Sequence, residues 1–459
     1  MGKENIGGVI MIRTLIIFCL LAVNVLTGAA QRISTAAGIG TAGGFSGDGG
    51  PATAAKLALV HAVAIDAIGN MYISVSGVYH NLRKVDTAGI IHAFVGGGIS
   101  SAGFSGDGGP ATAARIDEPR GITFDKKGNV YFFDRNNKRI RKVDTTGIIT
   151  TFAGNGSTTP SGDGGPATAA GIGTGVGLCT DTAGNIYVGA GDFIRKVDTA
   201  GIITTIAGTG VGGYSGDGGM ADTAQISTNN GQIAVDKYGN LYIASSGRVR
   251  KINAVGIITT FAGNGTTAYS GEGGPATATG MNAYGVWPDS NGNVYIANHD
   301  PGHRIHKVNP AGIITSIAGT TNGFSGDGGP GTSAKMFRPR ILCLGKNNCL
   351  YVAEYGNNIV RRLDLNDSVF VEVPGVVQND DVVKVYPNPA GDGVFTVRVS
   401  SLADEQVQVV VTDVTGARVH ELTTATNKET NINLHVPPGM YLVQIATADK
   451  QWVRKILVE

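Results

Sequence analysis

The sequence predicts an all-β protein: a six-bladed β-propeller of four-stranded blades followed by a small Ig-like β-sandwich. Three observations carry this reading. SGDGG recurs at Ser46, Ser105, Ser161, Ser215 and Ser325, with SGEGG at Ser270, at spacings of 59, 56, 54, 55 and 55 residues. Each repeat holds the same succession of four short apolar segments rich in Ile, Val, Thr and Tyr, and no helical period competes. From Val383 the repeat is gone and an alternating pattern replaces it.

The four segments read most clearly in the fourth repeat, as Gln232–Asp236, Asn240–Ser245, Arg248–Asn253 and Gly256–Gly263, here called strands a, b, c and d. Turn chemistry separates them: Gly239-Asn240 after strand a, and Asp198-Thr199-Ala200-Gly201 after strand c of the third repeat. Such units set around a centre, strand a innermost, bury both faces of every sheet without long free edges. A d-like strand, Ile33–Ala37, precedes any strand a and is expected to complete blade six. Ser368–Val373 is the rival closing strand.

After Val383 the alternating runs Val394–Val399, Val407–Asp413, Thr430–Val436 and Tyr441–Thr447 predict the sandwich. Asp413–Gly416 and Pro437–Gly439 read as tight turns, and Val436–Tyr441 as a corner into the next strand.

Composition narrows the function. The chain holds 71 Gly in 459 residues, about twice the usual share, while 42% hydrophobic residues supply a core. That excludes collagen and disorder. With 36 Lys+Arg against 35 Asp+Glu there is no basic field for a phosphate backbone, so nucleic acid is not an expected partner.

At the N-terminus, Arg13 precedes the apolar stretch Leu15–Leu26, and Gly28-Ala29-Ala30 offers small residues for cleavage before Gln31. Residues 1–30 read as a secretory signal peptide, with Met11 a candidate true start. The stretch is short of the roughly 20 apolar residues that cross a bilayer, so no transmembrane segment is expected in the mature protein. Cleavage leaves Cys179, Cys343 and Cys349, an odd set without CxxC spacing, which implies no disulfide framework or zinc site. Cys179 and Cys343 share one column of strand a and read as small buried residues.

The repeat resembles NHL-repeat propellers of a secreted bacterial variety, in which SGDGGPATAA stands ahead of P-x-G-I-x-x-D-x-x-G-N-x-Y. The likeness covers roughly 330 residues. Blade six departs from it, with Gly345 in place of the Asp that ends strand a and Asn348-Cys349 in place of Gly-Asn. The resemblance implies a six-bladed ring, and because such rings include binding domains, lyases and lactonase-like relatives it leaves the activity open.

Tyr386-Pro387-Asn388-Pro389, Gly393-Val394-Phe395, Asp413 with Gly416, Pro438-Gly439-Met440-Tyr441 and Lys455-Ile456-Leu457-Val458 together resemble a type IX secretion C-terminal sorting domain. The alternative is an ordinary Ig-like adhesin module. The resemblance implies Sec export, passage through the outer membrane by the type IX machinery acting on residues 383–459, and removal of that domain outside. The expected organisation is a signal peptide (1–30), a propeller (31–365), an exposed linker (366–382) and a sorting domain (383–459).

The insert carboxylates Asp48, Asp107, Asp163, Asp217, Glu272 and Asp327 are one per blade, too sparse for calcium. They read instead as acceptors for nearby backbone amides, in loops expected on the face where propellers bind. Pro51 and its counterparts are expected to start a one-turn helix through Ala52 to Ala55.

A unique site must sit where the blades differ. The residue opening strand a, at the channel mouth, is His61, Arg120, Val176, Gly231, Tyr284 and Arg340 in blades one to six. Blades six, one and two are neighbours, so Arg340, His61 and Arg120 would form one basic arc, with Tyr284 at its flank. Guanidinium forks beside an imidazole suit a carboxylate, uronate, sulfate or phosphate. The imidazole would add charge below about pH 6.5. The alternative is that each Arg pairs with its own loop, as Glu118 could with Arg120.

In blade five, His299, Asp300 and His303 are weak candidates for a metal, lacking a sure third ligand. His306, which replaces Arg in strand c, reads as a surface residue. No GxSxG, HExxH or phosphate-loop pattern stands in a suitable context, and no cofactor is implied. The expected function is that of an exported binding module, its partner a glycan, carboxylate or protein at the channel mouth. The alternatives are a propeller lyase or hydrolase and a structural surface component.

Overall fold

A computed structural model describes residues 31–40, 43–96, 102–228, 231–245, 247–366, 383–401, 404–413, 417–447 and 451–458. The signal peptide, the candidate closing strand Ser368–Val373, nearly all of the linker and the Val414–Gly416 turn lie outside these residues. The chain divides into two compact units, Met1–Val369 and Phe370–Glu459.

The first unit is the predicted propeller. Blade one is Val60–Ile65, Met71–Val75, Asn81–Val85 and Ile91–Val95; blade two is Pro119–Phe124, Val130–Asp134, Arg139–Val143 and Ile149–Ala153. Blade three is Gly175–Thr180, Ile186–Ala190, Phe193–Val197 and Ile203–Ala207; blade four is Ile233–Val235, Leu241–Ser245, Arg248–Ile252 and Ile258–Ala262. Blade five is Ala283–Pro288, Val294–Asn298, Arg304–Val308 and Ile314–Ala318. All are antiparallel in the order a-b-c-d. Blade six is Pro339–Leu344, Cys349–Glu354 and Ile359–Asp364, and its fourth strand is Ile33–Ala37, paired with Ile33 opposite Leu363. Each strand a touches strand a of the blades on either side, closing the ring.

The D-x-x-G-N-x-Y signature is a turn device. Asp66 Oδ1 accepts the amides of Ile68, Gly69 and Asn70, and its other oxygen takes the Asn70 side chain at 2.7 Å and the Tyr72 hydroxyl at 3.4 Å. Burial opposes ionisation of this carboxylate, but the amide donors outweigh it and hold Asp66 below its ordinary range. Blade six has Gly345 here and makes its a-to-b connection with the 3-10 turn Lys346–Asn348 instead.

The insert does something the sequence reading did not anticipate. It lies along the outer strand of its own blade: Gly49 N–H donates to Ile91 O at 2.9 Å and Ile91 N–H to Gly50 O at 3.0 Å, and the same pair recurs at Gly108 with Ile149 and at Gly328 with Ile33. The free edge of strand d is thereby covered. Gly47, at φ +97°, carries the chain past Ala55, whose Cα would stand 2.8 Å from any Cβ there. The segment then makes the expected single turn, a 3-10 turn at Ala52–Ala54 and its counterparts.

The insert carboxylates also differ from expectation. Their principal partner is the arginine of strand c, sealed inside the blade: Arg83 with Asp48, Arg141 with Asp107 at 2.6 Å, Arg195 with Asp163 at 2.5 Å, Arg250 with Asp217 at 2.6 Å and Arg361 with Asp327 at 2.7 Å. The second oxygen commonly takes a strand d hydroxyl, as Thr151 donates to Asp107 at 2.7 Å. Blade five keeps the contact with different parts. His306, fully buried rather than on the surface, reaches Ser316 at 3.2 Å, and Ser316 donates to Glu272 at 2.6 Å. Here Ser316 stands between the imidazole and the longer carboxylate of SGEGG.

The second unit packs the sheet Val383–Tyr386, Val394–Val399 and Glu429–Asn433 with the sheet Arg418–Ala425, Gln406–Asp413, Gly439–Ala446 and Gln451–Val458. Phe395, Val397, Val409, Val411, Ile432, Val443, Ile445 and Trp452 share its core. The Tyr441 hydroxyl donates to Pro437 O at 2.8 Å across the expected corner. Val383–Tyr386, Arg418–Ala425 and Gln451–Val458 are additional strands.

Two outcomes follow for stability. Ile33 is fully buried in the closing strand, so Ile33→Ala should cost about 2–5 kcal/mol in urea unfolding, and deletion of Arg32–Ala37 should cost more. Asp163→Ala should cost about 1–3 kcal/mol, below the 3–5 of a wholly buried pair because this carboxylate is half exposed. Exposed Asp222→Ala serves as the neutral control.

Candidate functional site

The column of residues opening strand a is set apart by backbone geometry. In blade one the pairing steps from Val60 opposite Val75 to Ala62 opposite Ser74, leaving His61 on a bulge; Tyr284 is bulged in the same way between Ala283 and Gly285. In blades two and six the shift spans Pro119 to Ile122 and Pro339 to Leu342, freeing Arg120 and Arg340. A bulge re-aims side chains out of the regular alternation. Val176 of this column packs with Ala62 and Ile341 from two other blades, and the Gln232 amide donates to Leu342 O at 2.8 Å while its oxygen accepts the amides of Val286 and Leu342.

Arg340, His61 and Arg120 do converge. Both guanidiniums reach the His61 ring, which is 3% exposed. Arg120 also pairs with Glu118 at 2.5 Å, so the expected local ion pair and the arc coexist. Arg340 stacks over Tyr355 at 3.8 Å and Tyr284 at 5.5 Å, and has no ion pair among the described residues. His299 lies stacked on Tyr284 at 4.1 Å. The arc and the blade-five loop are thus one contiguous sector spanning blades five, six, one and two.

Three hydrogen bonds between blades brace this sector. Side chains in the b-to-c loops accept the amide of the residue just ahead of the next strand a: His303 from Arg338 at 3.4 Å, Asn358 from Leu59 at 2.7 Å and His80 from Glu118 at 3.0 Å. All six residues have positive φ, a cost borne where the surrounding structure fixes the loop.

Of the metal candidates, His303 Nε2 lies 3.7 Å from Asp300 Oδ1, and His299 is turned to a different neighbour. Asp300 is held by Arg338 at 3.2 Å, His303 accepts a backbone amide, and His299 faces Tyr284. Among the described residues no group of three His, Cys, Asp or Glu side chains is placed to hold a metal ion. Cys179 and Cys343 are buried in different cores.

Two members of the sector were missed in the sequence. Arg135 and Tyr355 each follow strand b directly, in blades two and six, in the column that holds His299 in blade five. Aligning that column across all blades would have found them. Arg135 lies close enough for its charge to act on both His61 and Arg120.

Comparison with known proteins fixes the class. Residues 384–459 match the secretion system C-terminal sorting domain, and residues 100–161 match the teneurin NHL domain. Mouse Teneurin-4 is 30% identical over 279 residues, 52% of this chain but 10% of the teneurin. Two solved structures from Bacteroides thetaiotaomicron share the propeller fold. One is a protein of unknown function, at TM-score 0.53 and 16% identity, covering 73% of this chain and 76% of that one. The other is an auxiliary nutrient binding protein, at TM-score 0.52 and 14% identity, covering 72% and 76%. The chain is a repeat-built propeller of the NHL type. It carries a type IX sorting domain and is exported to the cell surface or the extracellular space. Among the described residues no helix is long and apolar enough to cross a membrane.

Electrostatics overturn one expectation. Burial, then the charges of Arg120 and Arg340, hold the His61 imidazole far below its ordinary pKa, so it adds no charge to the arc as pH falls through 6.5. His299 is pushed down to about 3 by burial and Arg340. Both are neutral when folded and ordinary when unfolded, so their contribution is present above about pH 6.5 and lost as pH falls below it. Glu354 and Asp134, raised by burial to about 7 and about 6, act in the opposite sense. The melting temperature of His61→Gln should therefore fall less than wild type between pH 7 and pH 5, the difference isolating the imidazole.

Proposed function

We propose that this exported protein is a surface binding module that captures an anionic ligand at the blade five, six, one and two sector. In this reading residues 31–365 are the binding unit and residues 383–459 the part handled by the type IX machinery. A charge imbalance carries the proposal. Arg120, Arg135 and Arg340 gather around a neutral, buried imidazole, and among the described residues Glu118 is the carboxylate that faces them. The Nε donors of all three arginines are buried without a hydrogen-bond acceptor, as are those of the strand c arginines Arg83, Arg141, Arg195, Arg250 and Arg361, so the two sets differ in charge pairing alone.

Such donors and charges are costly when unmet. The contrast with strand c is instructive, since there each arginine has its own insert carboxylate at hand. An incoming anion would supply the missing counter-charge, and interblade bracing keeps the guanidiniums in place before it arrives.

The test is a small-anion and glycan binding array on the exported wild type and on Arg120→Ala with Arg340→Ala. Wild type should retain anionic ligands and lose them as salt rises. The double variant should bind about 100-fold more weakly, two charge-assisted contacts being removed, while still unfolding in one cooperative transition, lowered by loss of the Arg120–Glu118 pair. Equal binding by both proteins, or binding of neutral ligands alone, would overturn the site.

A further inference from the structure

The last residue of strand b differs from blade to blade: Val75, Asp134, Ala190, Ser245, Asn298 and Glu354 in blades one to six. In blades two and six it is a buried carboxylate that fills a notch beside strand c. Asp134 accepts the Asp117 amide at 2.7 Å and reaches Arg141 at 3.3 Å; Glu354 accepts the Phe337 amide at 3.1 Å and reaches Arg361 at 3.6 Å. An asparagine from the turn after strand b completes each set. Asn137 donates to Asp134 at 2.8 Å and to Gly103 O at 2.6 Å, and Asn357 to Glu354 at 2.5 Å and to Gly323 O at 2.8 Å. Blade five fills the place with Asn298, which accepts the Asn282 amide at 2.9 Å and meets His306 at 3.1 Å. Asp117, Asn282 and Phe337 each stand twelve residues past the serine that opens the insert motif, and Gly103 and Gly323 stand two residues ahead of it.

Blade four keeps this frame and lacks its filling. Ser227 holds the twelfth position and Gly213 the glycine position, but strand b ends in Ser245, and the turn to strand c is shortened to residues 246–247 with no asparagine. A cavity of about 300 Å³ is left, bordered by Gly213, Tyr214, Ser227, Ser245, Arg248 and Arg250 and reaching Tyr284 of blade five. Arg250 gives one terminal nitrogen, Nη2, to Asp217 at 2.6 Å and to Ser215 O at 3.0 Å. Arg248 stacks on Tyr214 at 3.7 Å and has no ion pair among the described residues. Among those residues no acceptor meets the Ser227 amide. The remaining blades settle the place differently: Val75 closes it with a buried apolar side chain, and in blade three Arg195 turns Nη1 to Gly171 O at 3.2 Å.

We propose that the blade-four notch binds the carboxyl end of a peptide or an N-acylated amino acid, the ligand carboxylate standing where blade two has Asp134 and the ligand N–H where it has Asn137. The site goes beyond the anion sector of blades five, six, one and two, with Tyr284 bordering both. A guanidinium and a backbone amide call for an anionic acceptor, and the glycine carbonyl at this place in blades two and six takes an N–H. A C-terminal residue carries both groups on one carbon. The cavity is at the small end of ligand sites, which fits one residue held between the two tyrosines. Both lining charges are guanidiniums, so an acylated nitrogen suits the notch better than a free ammonium.

The full exported chain should be titrated calorimetrically at low salt with N-acetylalanine, N-acetylalaninamide, propionate and trialanine. N-acetylalanine should bind about tenfold more tightly than its amide, which lacks the carboxylate, and about fivefold more tightly than propionate, which lacks the N–H. Ser245→Asp, which supplies a carboxylate from within as blade two does, should abolish that binding while the chain still unfolds in one cooperative transition. Ser245→Val, which copies blade one, should do the same by filling the space.

Trialanine binding at least as tight as that of N-acetylalanine assigns the site to peptide ends, and weaker binding assigns it to small acylated amino acids. Equal binding of the acid and its amide, or binding of N-acetylalanine untouched by both substitutions at Ser245, overturns the site. Binding that is lost in Arg120→Ala with Arg340→Ala but kept in Ser245→Asp places the carboxylate in the other sector and overturns the blade-four notch alone.

Discussion

The guanidinium sealed inside five of the six blades is the constraint around which the propeller is arranged. Arg83, Arg141, Arg195 and Arg361 have essentially no exposed side-chain surface, and a charge so placed is tolerable only with a partner. Strand c cannot supply one, nor can a lone strand d cover its own outer edge. The insert meets both needs at once, delivering a carboxylate to the arginine and backbone donors and acceptors to the edge. Its glycines let the chain pass close to Ala55 and its like, and its aromatic residue covers the guanidinium from outside, as Phe45 does for Arg83 at 4.6 Å. In blade five the buried charge is absent: burial lowers His306 to about 4, and Ser316 links the neutral imidazole to Glu272.

This explains why so much of the fold was legible. Strand positions followed from short apolar runs between turn residues, and ring closure by Ile33–Ala37 followed from counting strands, because a four-stranded blade has no slack for a missing member. What was not legible was long-range pairing. Asp48 and Arg83 stand 35 residues apart, and nothing local says that the carboxylate serves an arginine rather than neighbouring amides. His306 was misplaced for the same reason: alternation along strand c marks which side a residue faces, but a blade is covered on both sides. In the sandwich, the strand Arg418–Ala425 is polar enough to hide its alternation.

The candidate site divides along similar lines. Comparing strand a columns found His61, Arg120, Tyr284 and Arg340, since neighbouring blades bring one column together. It could not reveal that bulges turn these side chains out of the sheet, that Arg135, Tyr355 and His299 arrive from the next loop, or that burial, with two guanidiniums packed against it, lowers the pKa of His61. An imidazole judged from sequence has its solution pKa; an imidazole judged in place has the pKa its neighbours permit.

The two sets of arginines in one molecule make the strongest argument about function. Evolution of a repeat carries a structural solution to every blade, so a residue type needed for packing brings its partner with it, as the strand c arginines bring theirs. Arg120 and Arg135 of blade two and Arg340 of blade six lie outside the repeated pairing, on either side of blade one, and meet a sector whose loops are tied together by His80, Asn358 and His303. If these arginines served the ring alone, each would be expected to have a partner of its own, as Arg120 has in Glu118. The absence of such partners for Arg135 and Arg340 among the described residues, in a molecule that elsewhere pairs its strand c arginines blade after blade, supports the proposal that the counter-charge here comes from outside.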